Sequence, residues 1–320
     1  MVSGEGKDFE LVVAASDEEW LEIRKLGVGG SDVAAIMGLS RYRSPFSVYA
    51  EKTGLYKPED ISGNPAVHWG TVLEPVVGAE YARNHLDREV RRVDAVCRSL
   101  KRPWAQASLD FEVRDPELGW GVLEIKTAGW RMADDWADGV PVYYQTQVAH
   151  YMDIVNRPFA DVAVLIGGQD YREFRIMRDE EDIVSVRSAV DAFWIEHVLK
   201  KSPPDVMAVD CCVLTASHQD PSSDLDDLNE SPFTLRNWID AKNKYEIAKE
   251  NKELWDARLK AEIGDSKGWS TPDGRITWVR SKRKRLDTKT LYSDMPEVKE
   301  KYMVESVADG GLRWIPTKPE

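Results

Sequence analysis

Along the chain, apolar positions recur every three or four residues in some stretches and every second residue in others, and the change of period marks the elements. Ser16-Asp17-Glu18-Glu19 has the form of a capping box and predicts a short helix through Trp20, Leu21 and Leu26. Gly27-Val28-Gly29-Gly30-Ser31-Asp32 interrupts it, and a second helix is expected from Val33 to Met37, ended by Gly38. A third runs from Ser44-Pro45 to Thr53 and stops at Gly54. Val72, Leu73, Val76 and Tyr81 carry helical spacing across Trp69–Arg83. Pro75 falls inside that stretch and is expected in its first turn, because deeper it would remove a backbone hydrogen bond. Thr71-Val72-Leu73-Glu74 then reads as a capping box, with Glu74 at the helix mouth.

Three strands are expected next, near Glu89–Cys97, Trp104–Val113 and Gly121–Thr127. A helix follows over Val142–Val155. Two β-rich runs, Asp161–Ile166 and Tyr171–Ile176, flank the hairpin signal Gly167-Gly168-Gln169-Asp170. Glu180–Lys200 reads as an amphipathic helix through Ile183, Val186, Val190 and Phe193. Phe233–Ile263 reads as a long, highly charged helix with a thin apolar stripe, the usual mark of a seam against a neighbour. Ile276–Val279 is expected to be a strand, and the basic run Lys282-Arg283-Lys284-Arg285 follows it, either a solvated face or a contact to phosphate.

At 320 residues the chain is long enough for about two domains. Charge sharpens the boundary. From Asp205 to Pro232 there are seven Asp/Glu and no Lys/Arg, whereas Asp265 to Glu320 holds twelve Lys/Arg against nine Asp/Glu. The division expected is a domain over 1–204, an acidic linker over 205–232 and a helical, basic extension over 233–320. A net charge of −13 excludes a protein coated in basic surface, although a local patch or bound cation can still govern contact with phosphate. Three cysteines, Cys97, Cys211 and Cys212, make neither a disulfide framework nor a four-cysteine cluster. No apolar run approaches the ~20 residues of a membrane span, and the start lacks a signal peptide's apolar core, so the cytoplasm is the expected setting.

Candidate chemistry concentrates around Gly121-Val122-Leu123-Glu124-Ile125-Lys126-Thr127. On a strand, Glu124 and Lys126 project from one face while Leu123 and Ile125 turn to the other. Asp115-Pro116-Glu117-Leu118-Gly119 favours a reversal that brings Asp110 alongside Glu124. Two carboxylates offer hard oxygen ligands suited to Mg²⁺, and a neighbouring ammonium can orient water or stabilise phosphate charge. Arg24 offers a bidentate fork, and Gly29-Gly30-Ser31 precedes a helix start that attracts anions. Each feature also has a plain structural role: a surface lysine, a Ser N-cap, a helix-capping glutamate. His68 and His150 flank these segments and are left unassigned.

Taken together these segments resemble the YqaJ-like viral recombinase family, whose members are similar to phage lambda exonuclease within the PD-(D/E)XK nuclease superfamily. The segments are Glu19-Trp20 with Arg24 and Gly29–Gly38; Gly70-Thr71-Val72-Leu73-Glu74-Pro75; Ser108–Lys126; Tyr143-Tyr144 with Gln147-Val148; and Ser281–Lys289. The resemblance implies an α/β fold, a PD-(D/E)XK restriction-endonuclease-like core with a central mixed sheet flanked by helices, carrying the helical and basic C-terminal extension. It implies a metal site of Asp110, Glu124 and the Ile125 carbonyl with Glu74 as an additional acid, and catalytic roles for Lys126 and Gln147. Two Mg²⁺ ions are implied, with Mn²⁺ able to substitute. Arg24, Ser31 and Ser108 take the place of the residues that hold a DNA 5′-phosphate. The family shows Gln-x-Gln where this chain has Gln147-Val148-Ala149, so the second glutamine is missing.

The expected activity is resection of one strand of linear duplex DNA, 5′→3′, with a single-strand annealing protein as partner and a homo-oligomeric ring as assembly. Competing readings are a structure-specific endonuclease of the same superfamily, an iron–sulfur nuclease disfavoured by the cysteine count, a non-catalytic scaffold at DNA ends, and an oligomerisation module on the long helix.

Overall fold

The computed structural model describes residues 7–58, 63–217, 230–278 and 286–302, together with residues 2, 61 and 228. Two compact units make up the chain, Met1–Pro221 and Ser222–Glu320. The first runs β1 (Phe9–Val12), α1 (Asp17–Lys25), α2 (Gly30–Ile36), α3 (Pro45–Lys52), α4 (Pro65–Asn84), β2 (Glu89–Arg92), β3 (Val96–Ser99), β4 (Gln106–Ser108), β5 (Phe111–Asp115) and β6 (Gly119–Ala128). It continues with α5 (Val142–Val155), β7 (Phe159–Ile166), β8 (Asp170–Met177), α6 (Glu180–Ala192) and α7 (Cys211–Ser217). The second unit holds α8 (Phe233–Ile263), the antiparallel hairpin β9 (Gly268–Thr271) and β10 (Gly274–Thr277), α9 (Thr288–Asp294) and α10 (Pro296–Tyr302). Lys282–Arg285 lies outside the described residues. Among the described residues no helix is long and apolar enough to cross a membrane.

A five-stranded mixed sheet, ordered β2-β5-β6-β7-β8, forms the centre of the first unit; β6 and β7 are parallel and the other pairs antiparallel. The side chains of β6 divide as their alternation requires. Leu123 and Ile125 pack with Val77 and Tyr81 of α4 on one face, while Val122 joins Val148 and Met152 of α5 on the other. This is the expected layering, a central mixed sheet flanked by helices. β7 is buried along nearly its whole length, as a central parallel strand must be. The β5–β6 hairpin turns where predicted, with Asp115 accepting from the Glu117 and Leu118 amides and Gly119 at φ +81°. Arg175 on β8 bridges Asp115 and Asp161 and so ties this turn to the sheet edge.

Three expectations need correction. The two strands expected over Glu89–Cys97 and Trp104–Val113 each break in two. β3 and β4 leave the central sheet to join β1 in a separate three-stranded sheet, and Asp110 lies at the crossing, its carbonyl accepting from the Val93 amide. Continuous β-propensity shows where a strand can form but not where it changes partner. The second correction concerns α4, which starts at Pro65 under an Asn64 cap rather than at Trp69. Pro75 is therefore interior, not in the first turn, and Glu74 lies mid-helix rather than at its mouth. Thr71, whose carbonyl loses its partner to Pro75, is exposed, so water can take that bond. Third, β1 had no clear signal in the sequence, and the strand expected over Ile276–Val279 is centred two residues earlier, in β10.

The stretch 205–232 is folded as far as α7. Asp210 is fully buried, accepting from the Ser44 hydroxyl and the Met207 amide.

Candidate active site

The sheet, α4 and α5 bring the predicted acids and their partners to one place. Asp110 leaves the β4–β5 crossing with its Oδ2 accepting from the Ile125 amide at 2.7 Å. Glu124, in the middle of β6, is 2% exposed. Its Oε1 accepts from Lys126 Nζ at 2.5 Å and from Gln147 Nε2 on α5 at 2.6 Å. Among the described residues its Oε2 has no hydrogen-bond partner. Lys126 Nζ also lies 4.7 Å from the centre of the Tyr144 ring, and Gln147 Nε2 donates to the Tyr151 hydroxyl at 3.1 Å. Glu74 on α4 stands nearby, 3.3 Å from Arg92, which ends β2 beside Asp110.

Charge is balanced unevenly here. Burial, then the nearby Asp110, pushes the Glu124 carboxyl above its ordinary range, and Lys126 only partly offsets this. Asp110 is likewise pushed up by burial against the pull of Lys126 and the Ile125 amide. Glu74 rises through burial and Asp110, opposed by Arg92 and Lys126. Lys126 is held charged: burial favours its neutral form, but Glu124 and Asp110 outweigh it. Three neighbouring carboxyls, each shifted upward, crowd negative charge in one place, and a divalent cation would relieve it.

The donor set fits such an ion. It offers hard oxygens from Asp110 and Glu124, including the unpartnered Glu124 Oε2, with the Ile125 carbonyl and Glu74 adjacent. Among the described residues no three His, Cys, Asp or Glu side chains stand close enough to enclose a metal by themselves. The Ile125 carbonyl and solvent would complete the shell.

Arg24 and Ser31 also meet. Arg24, in the last turn of α1, donates through Nη2 to the Ser31 hydroxyl at 2.9 Å. Beneath them lies an arrangement not foreseen: Asp32 is fully buried and paired with Lys52 at 2.8 Å and Arg43 at 2.7 Å. Burial raises the Asp32 carboxyl, but Lys52, Arg43 and Arg24 together hold it well below the usual range. Lys52 also donates to the Arg24 carbonyl, so the cluster fixes the backbone that presents the pair. Ser108 ends β4 two residues before Asp110, and among the described residues no hydrogen bond joins it to Arg24 or Ser31. A cleft of about 330 Å³ runs from Ser31 and Gly30 to Lys126, Gln147 and Tyr144, so the two groups open into one space.

Every candidate site residue falls between positions 19 and 158, the stretch that matches the model of the YqaJ-like viral recombinase domain. The uncharacterized protein YqaJ of Bacillus subtilis is 28% identical over 299 residues, covering 91% of this chain and 92% of that one. Among solved structures, the alkaline exonuclease LHK-Exo of Laribacter hongkongensis is 24% identical over 62% of this chain and 98% of its own, with a TM-score of 0.47. A phage-related exonuclease from Haemophilus somnus is 14% identical over 55% of this chain and 95% of its own, with a TM-score of 0.40.

Within residues 19–158, sequence reasoning missed Asp32, Lys52, Arg92, Tyr144 and Tyr151. Asp32 and Tyr144 sat inside segments already singled out, but nothing local marked their partners. His150, left unassigned, is buried and donates to the Val28 and Gln106 carbonyls; it is a packing residue.

Proposed function

We propose that this protein is a divalent-metal-dependent DNA exonuclease of a phage-type recombination system, with the chemistry in residues 1–204 and residues 233–320 as an extension beyond the linker. It resects one strand of a linear duplex, 5′→3′, and leaves the other for an annealing protein; a homo-oligomeric ring in the host cytoplasm is the assembly this reading implies. One observation carries it: Lys126 and Gln147, both hydrogen-bonded to the buried Glu124 that Asp110 adjoins, line a cleft that also reaches Ser31.

Asp110, Glu124, the Ile125 carbonyl and Glu74 would hold two ions, Mg²⁺ or Mn²⁺. Those ions supply water activation and charge neutralisation at the leaving oxygen. Lys126, held charged, stabilises negative charge developing on the scissile phosphate. Gln147 fixes the rotamer of Glu124 and is itself fixed by Tyr151, whose phenol burial keeps protonated. Arg24 and Ser31, with Ser108 as the third member, take the terminal 5′-phosphate, and the bond to be cut is thereby set at a constant distance from the acids.

The test is digestion of a linear duplex labelled on either the 5′ or the 3′ end, with and without metal. Metal-dependent loss of 5′ label first, abolished by orders of magnitude in Asp110→Asn and Glu124→Gln, is the expected result. Equal cutting of a covalently closed circle would make the protein an endonuclease, and end binding without metal-dependent cutting would make it a scaffold.

A further inference from the structure

The proposed reaction uses Ser31, Lys126 and Gln147 of the cleft and leaves much of its lining without a role. That remainder is largely aromatic or apolar, with Tyr42, Tyr143, Tyr144 and Met132 in it. The rings run in series from the core to the cleft. Trp136, 1% exposed, packs 5.5 Å from Tyr144, and Tyr144 meets Tyr143 edge-on at 4.5 Å. Lys126 lies against the Tyr144 ring, so that ring is fixed and the half-buried Tyr143, in the first turn of α5, rests on it.

Tyr42 is held differently. It is 83% exposed, yet its backbone is tied down. Its amide and that of Arg43 both donate to the Ser40 hydroxyl, and Arg43 is paired with the buried Asp32 and with Glu51. A ring carried on so fixed a turn loses little freedom on meeting a flat ligand. Burial, then Tyr144, Asp135 and Tyr42, push the Tyr143 phenol up against the pull of Arg41. Tyr42, Arg41 and Asp135 therefore stand beside Tyr143.

The cleft thus combines an anion site at Ser31 and Arg24, a cation at Lys126 and flat apolar surface in about 330 Å³. That volume is at the low end of the ~300–1,000 Å³ usual for small-ligand sites, room for about one nucleotide. An acidic peptide would meet the cations and leave the tyrosines bare. A nucleotide residue flanked by two phosphates meets both, and aromatic stacking accepts every base. We propose that Tyr42 and Tyr143 form the subsite for the base of the terminal nucleotide in the strand being cut. Its 5′-phosphate lies on Arg24 and Ser31, and its 3′-phosphate is cut beside Lys126. The proposal rests on the nuclease reading for the placing of those two phosphates.

The test compares two linear duplexes, each ending in an unpaired, 5′-phosphorylated residue. One carries adenine there and the other an abasic sugar, so neither end has a pair to open. With Mg²⁺ and subsaturating full-length protein, the adenine end should be cut roughly tenfold faster, the usual worth of stacking one base on an aromatic ring. Tyr42→Ala and Tyr143→Ala should each lower that ratio, and the double variant should bring it near one. Tyr143→Phe should keep the wild-type ratio, because the ring and not the hydroxyl meets the base. Tyr42 is exposed, so its replacement threatens the fold least, and Tyr143→Phe guards the other position. A wild-type ratio near one, or a ratio the alanine variants leave unchanged, would overturn the proposal. Loss of the preference in Tyr143→Phe would overturn it as well, since the hydroxyl would then be reading the base. The nuclease reading is judged separately: if the wild type digests neither duplex with metal, that reading fails. Equilibrium binding of the same two duplexes, with chelator present, then decides the subsite by the same ratio.

Discussion

Gly30 is where helix packing and catalysis meet, and adding one methyl group there tests the proposed role of Gln147. A Cβ at this position would stand 2.4 Å from Tyr151 Cε1 and 2.8 Å from Gln147 Cγ, both on α5. Ordinary carbon contact begins near about 3.5 Å, so Gly30→Ala must drive α2 and α5 apart by about 1 Å. Overpacking of this kind costs about 1–3 kcal/mol of stability, less the small gain of alanine in a helix. The catalytic effect should be larger in proportion. Gln147 holds Glu124 at 2.6 Å, and a displacement of about 1 Å in a positioning group can cost ~10²-fold in rate. The assay is single-turnover digestion of linear duplex, paired with urea unfolding. Gly121→Ala is the comparator, because its Cβ would stand equally close, 2.4 Å, to the Phe159 ring on the α4 side of the sheet. A near-normal rate in Gly30→Ala despite the expected destabilisation would refute the idea that the α2–α5 spacing sets the site. Equal rate losses in both variants at equal stability would show a global effect instead.

Three further outcomes are expected. Lys126→Ala should lower turnover far more than DNA affinity, because the ammonium acts on charge that develops during reaction; steady-state kinetics beside equilibrium binding decide it, and a loss confined to binding would make Lys126 a phosphate anchor. Wild-type protein should cut 5′-phosphorylated duplex faster than 5′-hydroxyl duplex, and Arg24→Ala should erase the preference; a wild-type ratio near one would reduce Arg24 and Ser31 to a helix-capping pair. Arg175 and the Glu117 and Leu118 amides hold Asp115 down to about 2, so its contribution to stability is complete above its unfolded value of about 3.9 and is lost as pH falls toward 2. The gap in urea midpoint between wild type and Arg175→Gln should accordingly shrink across that window, and a gap independent of pH would show that Arg175 acts through packing alone.

Much of the site was legible in the sequence because its signals are local. Glu124 and Lys126 share a face through strand alternation alone, and Pro116 with Gly119 announces the turn that returns Asp110 to them. The same holds for most helices, whose spacing and caps lie within one stretch of chain: Ser16 and Ser44 each mark a start that the structure confirms. Even the long α8 spans Phe233–Ile263, as its spacing predicts. What tertiary structure decided is the choice of partners. Whether Val96–Ser99 continues the central sheet or leaves it depends on which edge Phe9–Val12 occupies, and no local propensity carries that information. Pro75 shows the same limit from the other side: its cost looked prohibitive locally, but the Asn64 cap, the apolar face of α4 and the solvent exposure of Thr71 offset one lost hydrogen bond. The buried ion cluster of Asp32, Arg43 and Lys52 and the contact of Gln147 with Glu124 join residues 11, 20 and 23 positions apart. Coulomb attraction and burial act on distances in space, and those distances exist only after the helices have packed on the sheet.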